Sequence, residues 1–170
     1  PRADEGLPGG RVCAEAGGEI GHRSERRVVV ATLEADTADR RVPGLDPDPA
    51  TLPADRAAGD SGEGAADAAA EAVVADCASL IERAGPACVA VKPQLACFER
   101  LGAPGWRALV EVCAAAREAG LLVVADGKRG DVPTTARAYG QALVGETETP
   151  WGTVRGLDAD AFTANPLLGE

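Results

Sequence analysis

The chain has 170 residues, 45% of them hydrophobic, which is enough for one domain with its own core. A net charge of −10 excludes non-specific attraction to nucleic acid phosphates or anionic membranes, so any anionic ligand must be gripped locally. No apolar run approaches the ~20 residues that cross a bilayer, and Pro1 to Glu5 carry no charged-then-apolar signal, so the expected location is cytoplasmic.

Residues 1–41 are rich in Gly, Glu and Arg and read as an atypical N-terminal segment with one strand candidate, Val28 to Leu33. Residues 42–170 carry the regular pattern. Gly44-Leu45-Asp46-Pro47-Asp48-Pro49 predicts a turn or strand end, and the acidic, Gly-rich stretch from Asp55 to Gly64 predicts a mobile connection. A helix is then expected over 65–83, a strand over 87–92, a helix over 104–119, a strand over 121–126 and a helix over 134–144. A short run over 159–164 ends at Asn165-Pro166. Gly85-Pro86 and Gly120 supply the helix-ending punctuation. Strand and helix in alternation imply an α/β fold with a parallel sheet.

The five cysteines, Cys13, Cys77, Cys88, Cys97 and Cys113, are odd in number and contain no C-x-x-C pair. They read as reduced; Cys77, Cys88 and Cys113 lie within apolar patterns, where a thiol acts as a small hydrophobe. His22 is the sole histidine and takes no role, and no metal site is predicted.

Only two lysines, Lys92 and Lys128, stand among 17 basic residues, and each ends an apolar run that reads as a buried strand. Asp126 and Lys128, two apart on a strand, project to the same side, and Asp131 follows in the loop. Parallel strands present their C-terminal ends to one edge, so Lys92, Asp126, Lys128 and Asp131 are expected to converge there with zero net charge. At ~4 Å and an effective dielectric of about 20, each opposite pair gains roughly 4 kcal/mol before desolvation, enough to keep both lysines protonated. A single D-x-K is more often a structural ion pair capping a strand end. Four converging charges favour function, because a buried network of this kind rarely improves on apolar packing.

Val89-Ala90-Val91-Lys92-Pro93-Gln94, Asp126-Gly127-Lys128-Arg129-Gly130-Asp131-Val132 and Asp160-Ala161-Phe162-Thr163-Ala164-Asn165-Pro166 together resemble the orotidine 5'-phosphate decarboxylase family, in its longer bacterial branch. The likeness runs from about Gly44 to the end. D-x-K-x-x-D alone is shared with sugar-phosphate lyases of the same superfamily; V-K-P-Q before it separates the orotidylate branch. The resemblance implies a TIM-type (β/α)8 barrel, normally ~250 residues, of which this chain holds about the first half. It also implies cofactor-independent decarboxylation of orotidine 5'-phosphate to uridine 5'-phosphate in pyrimidine synthesis. In that family pattern Lys128 donates the proton to C6, Asp126 stands beside the departing carboxylate, and Lys92 orients the network and ribose hydroxyls. Asp46 binds ribose or Lys92, Thr163 and Asn165 lie near the base, and Arg129 ties down its loop. Asp131 and Thr135 reach a neighbouring subunit's site, which makes the partner a second copy in a homodimer. The chain departs from the pattern at Arg40-Arg41-Val42-Pro43, where a first apolar strand is expected, and in lacking the phosphate grip that such barrels build after their last strands. Two alternatives stay open: a magnesium-dependent sugar-phosphate lyase of the same superfamily, and an inactive half-barrel that dimerises through exposed sheet edges.

Overall fold

A computed structural model describes residues 41–53 and 64–165. The strand candidate at Val28 to Leu33, Cys13, His22 and nearly all of the acidic connection after Asp55 lie outside the described residues.

Strands β1 (Gly44–Leu45), β2 (Ala90–Pro93), β3 (Leu122–Arg129) and β6 (Ala161–Ala164) form one parallel sheet in the order β1-β2-β3-β6. Spatial order follows chain order, as in the wall of a barrel, whereas doubly wound sheets reverse direction partway. Helices α1 (Ala65–Ala84), α3 (Ala103–Glu118) and α4 (Pro133–Leu143) lie between successive strands.

The helix pair forms for reasons visible in the chain. Ala70, Val73, Cys77 and Ile81 recur at helical spacing on α1 and are buried, as are Ala108, Leu109, Val112, Cys113 and Ala116 on α3. The two stripes face each other, with Leu45, Val91, Val123 and Ala125 from the sheet closing the core. Gly120 ends α3 with φ +78°, where its N–H bonds the Arg117 carbonyl at 2.9 Å and the Leu121 N–H bonds Ala116 at 3.0 Å. That paired closure requires a left-handed residue, which is why glycine stands there.

Four features differ from the sequence expectation. The second strand begins at Ala90 because Gly85–Ala87 close a 3-10 turn first. Strand β3 runs on to Arg129 through an irregularity opposite β6. The short helix α2 (Leu95–Glu99) and the antiparallel hairpin of β4 (Glu146–Thr149) and β5 (Gly152–Arg155) were not anticipated. The hairpin is exposed along nearly its whole length, so it carries no apolar period; it is held by its ladder and by cross-strand pairs such as Arg155–Glu146 at 3.1 Å. Cys77 and Cys113 are buried and Cys88 and Cys97 half-buried, all four as free thiols. Among the described residues no helix is long and apolar enough to cross a membrane.

Candidate active site

The register of the sheet decides which side chains meet. Val91 pairs with Val123 and Gln94 with Asp126, so Lys92 lies opposite Val124, on the same face as Asp126. Val124 in turn pairs with Ala161, and Thr163 two residues later shares that parity. Val91, Val123 and Ala125 turn the other way, into the helix-covered core. One face of the sheet is thus apolar, and the other carries Lys92, Asp126 and Thr163 at the strands' C-terminal ends.

Asp126 is the centre, only 4% exposed and the one buried charged residue among those described. Its Oδ2 accepts from Lys92 Nζ at 2.5 Å and, more weakly, from Gln94 Nε2 at 3.4 Å. Its Oδ1 accepts from Lys128 Nζ at 2.6 Å and from Thr163 Oγ1 at 2.8 Å. Burial pushes this carboxyl up, but the hydrogen bonds from Lys128, Lys92 and Thr163 and the charge of Lys92 outweigh it and hold the group well below the usual carboxylate range. Asp126 is therefore ionised throughout the neutral range. The Lys128 side chain is 65% exposed and that of Lys92 34%, so Lys128 is the more open of the two to solvent.

Lys128 reaches this position through a bulge. Ala125 pairs with Phe162 and Arg129 with Ala164, so four residue steps on β3 face two on β6, and Lys128 takes φ +48°. A Cβ at Gly127 beside it would lie 2.9 Å from Leu95 Cδ2, so a larger residue there would have to displace that side chain. Arg129 anchors the bulge from behind: it pairs with Glu99 of α2, and its guanidinium lies 5.4 Å from the ring centroid of Tyr139 on α4. Glu99 and Tyr139 carried no sequence signal as site residues. Gln94 did, as the last residue of V-K-P-Q, but without a role.

The remaining expected residues do not all join the centre. Asp131 accepts the Val132 N–H at 2.7 Å, at the start of α4, and makes no ion pair with Lys92 or Lys128 among the described residues. The expected four-charge convergence is thus a Lys-Asp-Lys triad, because the turn after Arg129 carries Asp131 away into its own loop. Thr135 is half-buried in the first turn of α4. Asn165 is exposed, and its N–H bonds the Arg129 carbonyl at 2.7 Å, fastening the end of β6 to β3. Asp46 is exposed, its carboxylate folded over Gly44 with no hydrogen bond to Lys92. Its turn is held by Arg100, which donates to the Pro47 carbonyl at 2.7 Å and to Asp48 at 3.2 Å.

The model of the Orotidine 5'-phosphate decarboxylase / HUMPS family matches residues 43–170. The chain is 51% identical over 90 residues to an orotidine 5'-phosphate decarboxylase of Deinococcus radiodurans, covering 53% of this chain and 30% of that protein. It is 42% identical over 106 residues to one of Rhodopirellula baltica, covering 61% of this chain and 33% of that protein. Among solved structures, the OMP decarboxylase of Leishmania donovani superposes with a TM-score of 0.51 at 37% identity, over 75% of this chain and 40% of its own. The UMP synthase of the same organism gives 0.52 at 37% identity, over 75% of this chain and 22% of its own. The chain thus spans about a third of the length of the sequence relatives it matches. With the match extending over more than half of its residues, and with its parallel strands in barrel order, the chain belongs to the orotidine 5'-phosphate decarboxylase / HUMPS family.

Proposed function

We propose that the protein carrying this chain converts orotidine 5'-phosphate to uridine 5'-phosphate and carbon dioxide, in cytoplasmic pyrimidine nucleotide synthesis and without metal or organic cofactor. The observation that carries this reading is the ionised Asp126 clamped between Lys92 and Lys128, with contacts of 2.5 and 2.6 Å. A substrate carboxylate set beside Asp126 meets a charge that cannot be neutralised by protonation, because two ammonium groups hold it ionised. That repulsion is relieved when the C6–carboxyl bond breaks and neutral carbon dioxide leaves. The bonding pair stays on C6, and Lys128 Nζ, adjacent and protonated, donates the proton that completes the product.

Lys92 has a different duty. Half-buried and bonded to the other oxygen of Asp126, it orients the carboxylate and is assigned to the ribose hydroxyls, with Asp46 beside it on the neighbouring strand end. Asn165 at the end of β6 is assigned to the base, while Thr163 on the same strand lies against Asp126. Asp131 and Thr135, turned away from their own triad, are assigned to the site of a second copy in a homodimer. In this reading residues 42–170 supply part of one barrel.

Release of carbon dioxide from orotidine 5'-phosphate by the purified full-length protein tests the proposal, and full activity in Lys128→Ala would refute the role given to that residue. The sugar-phosphate lyase reading requires carboxylates of this motif to bind magnesium, whereas both oxygens of Asp126 already accept from ammonium groups. Strict magnesium dependence would nevertheless overturn the cofactor-free scheme.

A further inference from the structure

We propose that Thr163 is a positioning residue for Lys128, its hydroxyl accepting the Lys128 backbone N–H at 2.9 Å while donating to Asp126 Oδ1 at 2.8 Å. With Lys128 Nζ on that same Oδ1 at 2.6 Å, the three residues close a ring of hydrogen bonds. The ammonium of this lysine is thereby tied to the carboxylate directly, and its amide through Thr163.

The need for such a device follows from the bulge. Between Ala125 and Arg129, β3 has more residues than β6 can pair, so ladder hydrogen bonds are lost there. The Thr163 hydroxyl replaces one of them. Lys128 sits at φ +48°, a left-handed conformation that a residue with a Cβ keeps only when its surroundings impose it. Its side chain is largely exposed, and a flexible four-carbon stem on an unrestrained backbone would spread the ammonium over many positions. Fixing the amide restricts the origin of the stem, and fixing Oδ1 restricts its target. A hydroxyl has a single proton, which is spent on Asp126, so Thr163 has no donor left for a ligand.

This inference deepens the decarboxylase reading, and its kinetic test rests on that reading. Thr163→Val keeps the shape and removes both hydrogen bonds, while Thr163→Ser retains them. In Thr163→Val, kcat for carbon dioxide release should fall by about 100-fold, with affinity for uridine 5'-phosphate little changed, and Thr163→Ser should recover most of the loss. Wild-type kcat in the valine variant, or a loss of product affinity as large as the loss of kcat, would overturn the positioning role in favour of direct contact with the base. An arm independent of activity is amide hydrogen exchange at Lys128. It should be slow in the wild type, faster in Thr163→Val and slow again in Thr163→Ser. Fast exchange in the wild type, or equal rates in all three, would overturn the inference. Absence of carbon dioxide release from the wild type would defeat only the decarboxylase reading.

Discussion

Lys92 reaches Asp126 across the β2–β3 pair, its Nζ 2.5 Å from Oδ2, although 34 residues separate them in the chain. Lys128 binds the opposite oxygen, so the two ammonium groups do not compete for one lone pair and the carboxylate is held from both ends. Neither lysine can replace the other: Lys92 approaches from a neighbouring strand and is half-buried, while Lys128 approaches from the same strand and is exposed.

Removing the proposed proton donor, Lys128, should therefore cost more than weakened binding. Lys128→Ala is expected to lower kcat for carbon dioxide release by about 100- to 10,000-fold, the range for a lost general acid. Lys92→Ala should also lower kcat, and should raise KM as well because the ribose contact proposed for it would be lost. A Lys92→Ala enzyme with an altered KM but wild-type kcat would separate Lys92 from the chemistry.

Stability should depend on pH through Asp126. Its carboxyl is held below the ordinary value of about 3.9, so the folded chain binds fewer protons than the unfolded chain as pH falls through that value. The stabilisation is complete above that ordinary value and is lost as pH falls below it toward the depressed folded value. Urea unfolding between about pH 2 and 5 should show a steeper acid loss in the wild type than in Asp126→Asn. Equal slopes would mean that the ion-paired carboxylate contributes no linkage.

Two helix glycines should respond to alanine with opposite signs. At Gly105 a Cβ would run into the Phe98 carbonyl of α2 and lie 2.9 Å from Leu101 Cβ, so Gly105→Ala must push α2 and α3 apart. A loss of about 1–3 kcal/mol is expected from such overpacking. Gly140 in α4 has nothing within 4 Å of the same atom, so Gly140→Ala should gain about 0.4–1 kcal/mol by restricting the unfolded chain. Denaturant midpoints of the two variants moving in the same direction would contradict this packing.

Thiol chemistry should divide the cysteines. Burial pushes both Cys77 and Cys113 up to about 12, with the Asp76 charge adding to the effect at Cys77, so both remain thiols at neutral pH. The thiolate is the reactive form, and neither group is open to solvent. Iodoacetamide at about pH 8 should leave both unmodified in the native protein and alkylate them after denaturation, as read by peptide mass. Rapid native labelling at Cys113 would show that the α1–α3 seam opens.

Helices α1 and α3 were legible because Ala70, Val73, Cys77 and Ile81, and their counterparts on α3, repeat with the helical period. The apolar run Leu121 to Ala125 marked the start of β3 for a similar reason. Helix α2 escaped because five residues show hardly more than one period, and the β4–β5 hairpin because it lies exposed with no apolar face to betray it. At the site, the types and order of Lys92, Asp126 and Lys128 could be read directly, while the absence of Asp131 from their cluster could not. Its direction depends on how the chain turns after Arg129.

Local chemistry along the chain was thus enough to establish the strand–helix alternation, the charged residues set at strand ends and the resemblance to a decarboxylase family. Which atoms touch was settled by contacts between distant segments. The pairing of β3 with β6 creates the bulge, and the bulge turns Lys128 onto an oxygen of Asp126 that Thr163, 37 residues from that carboxylate, also holds. Along one strand the pleat alternates the side chains, but which residue of a neighbouring strand lies opposite depends on the pairing register, and that register shifts at the bulge.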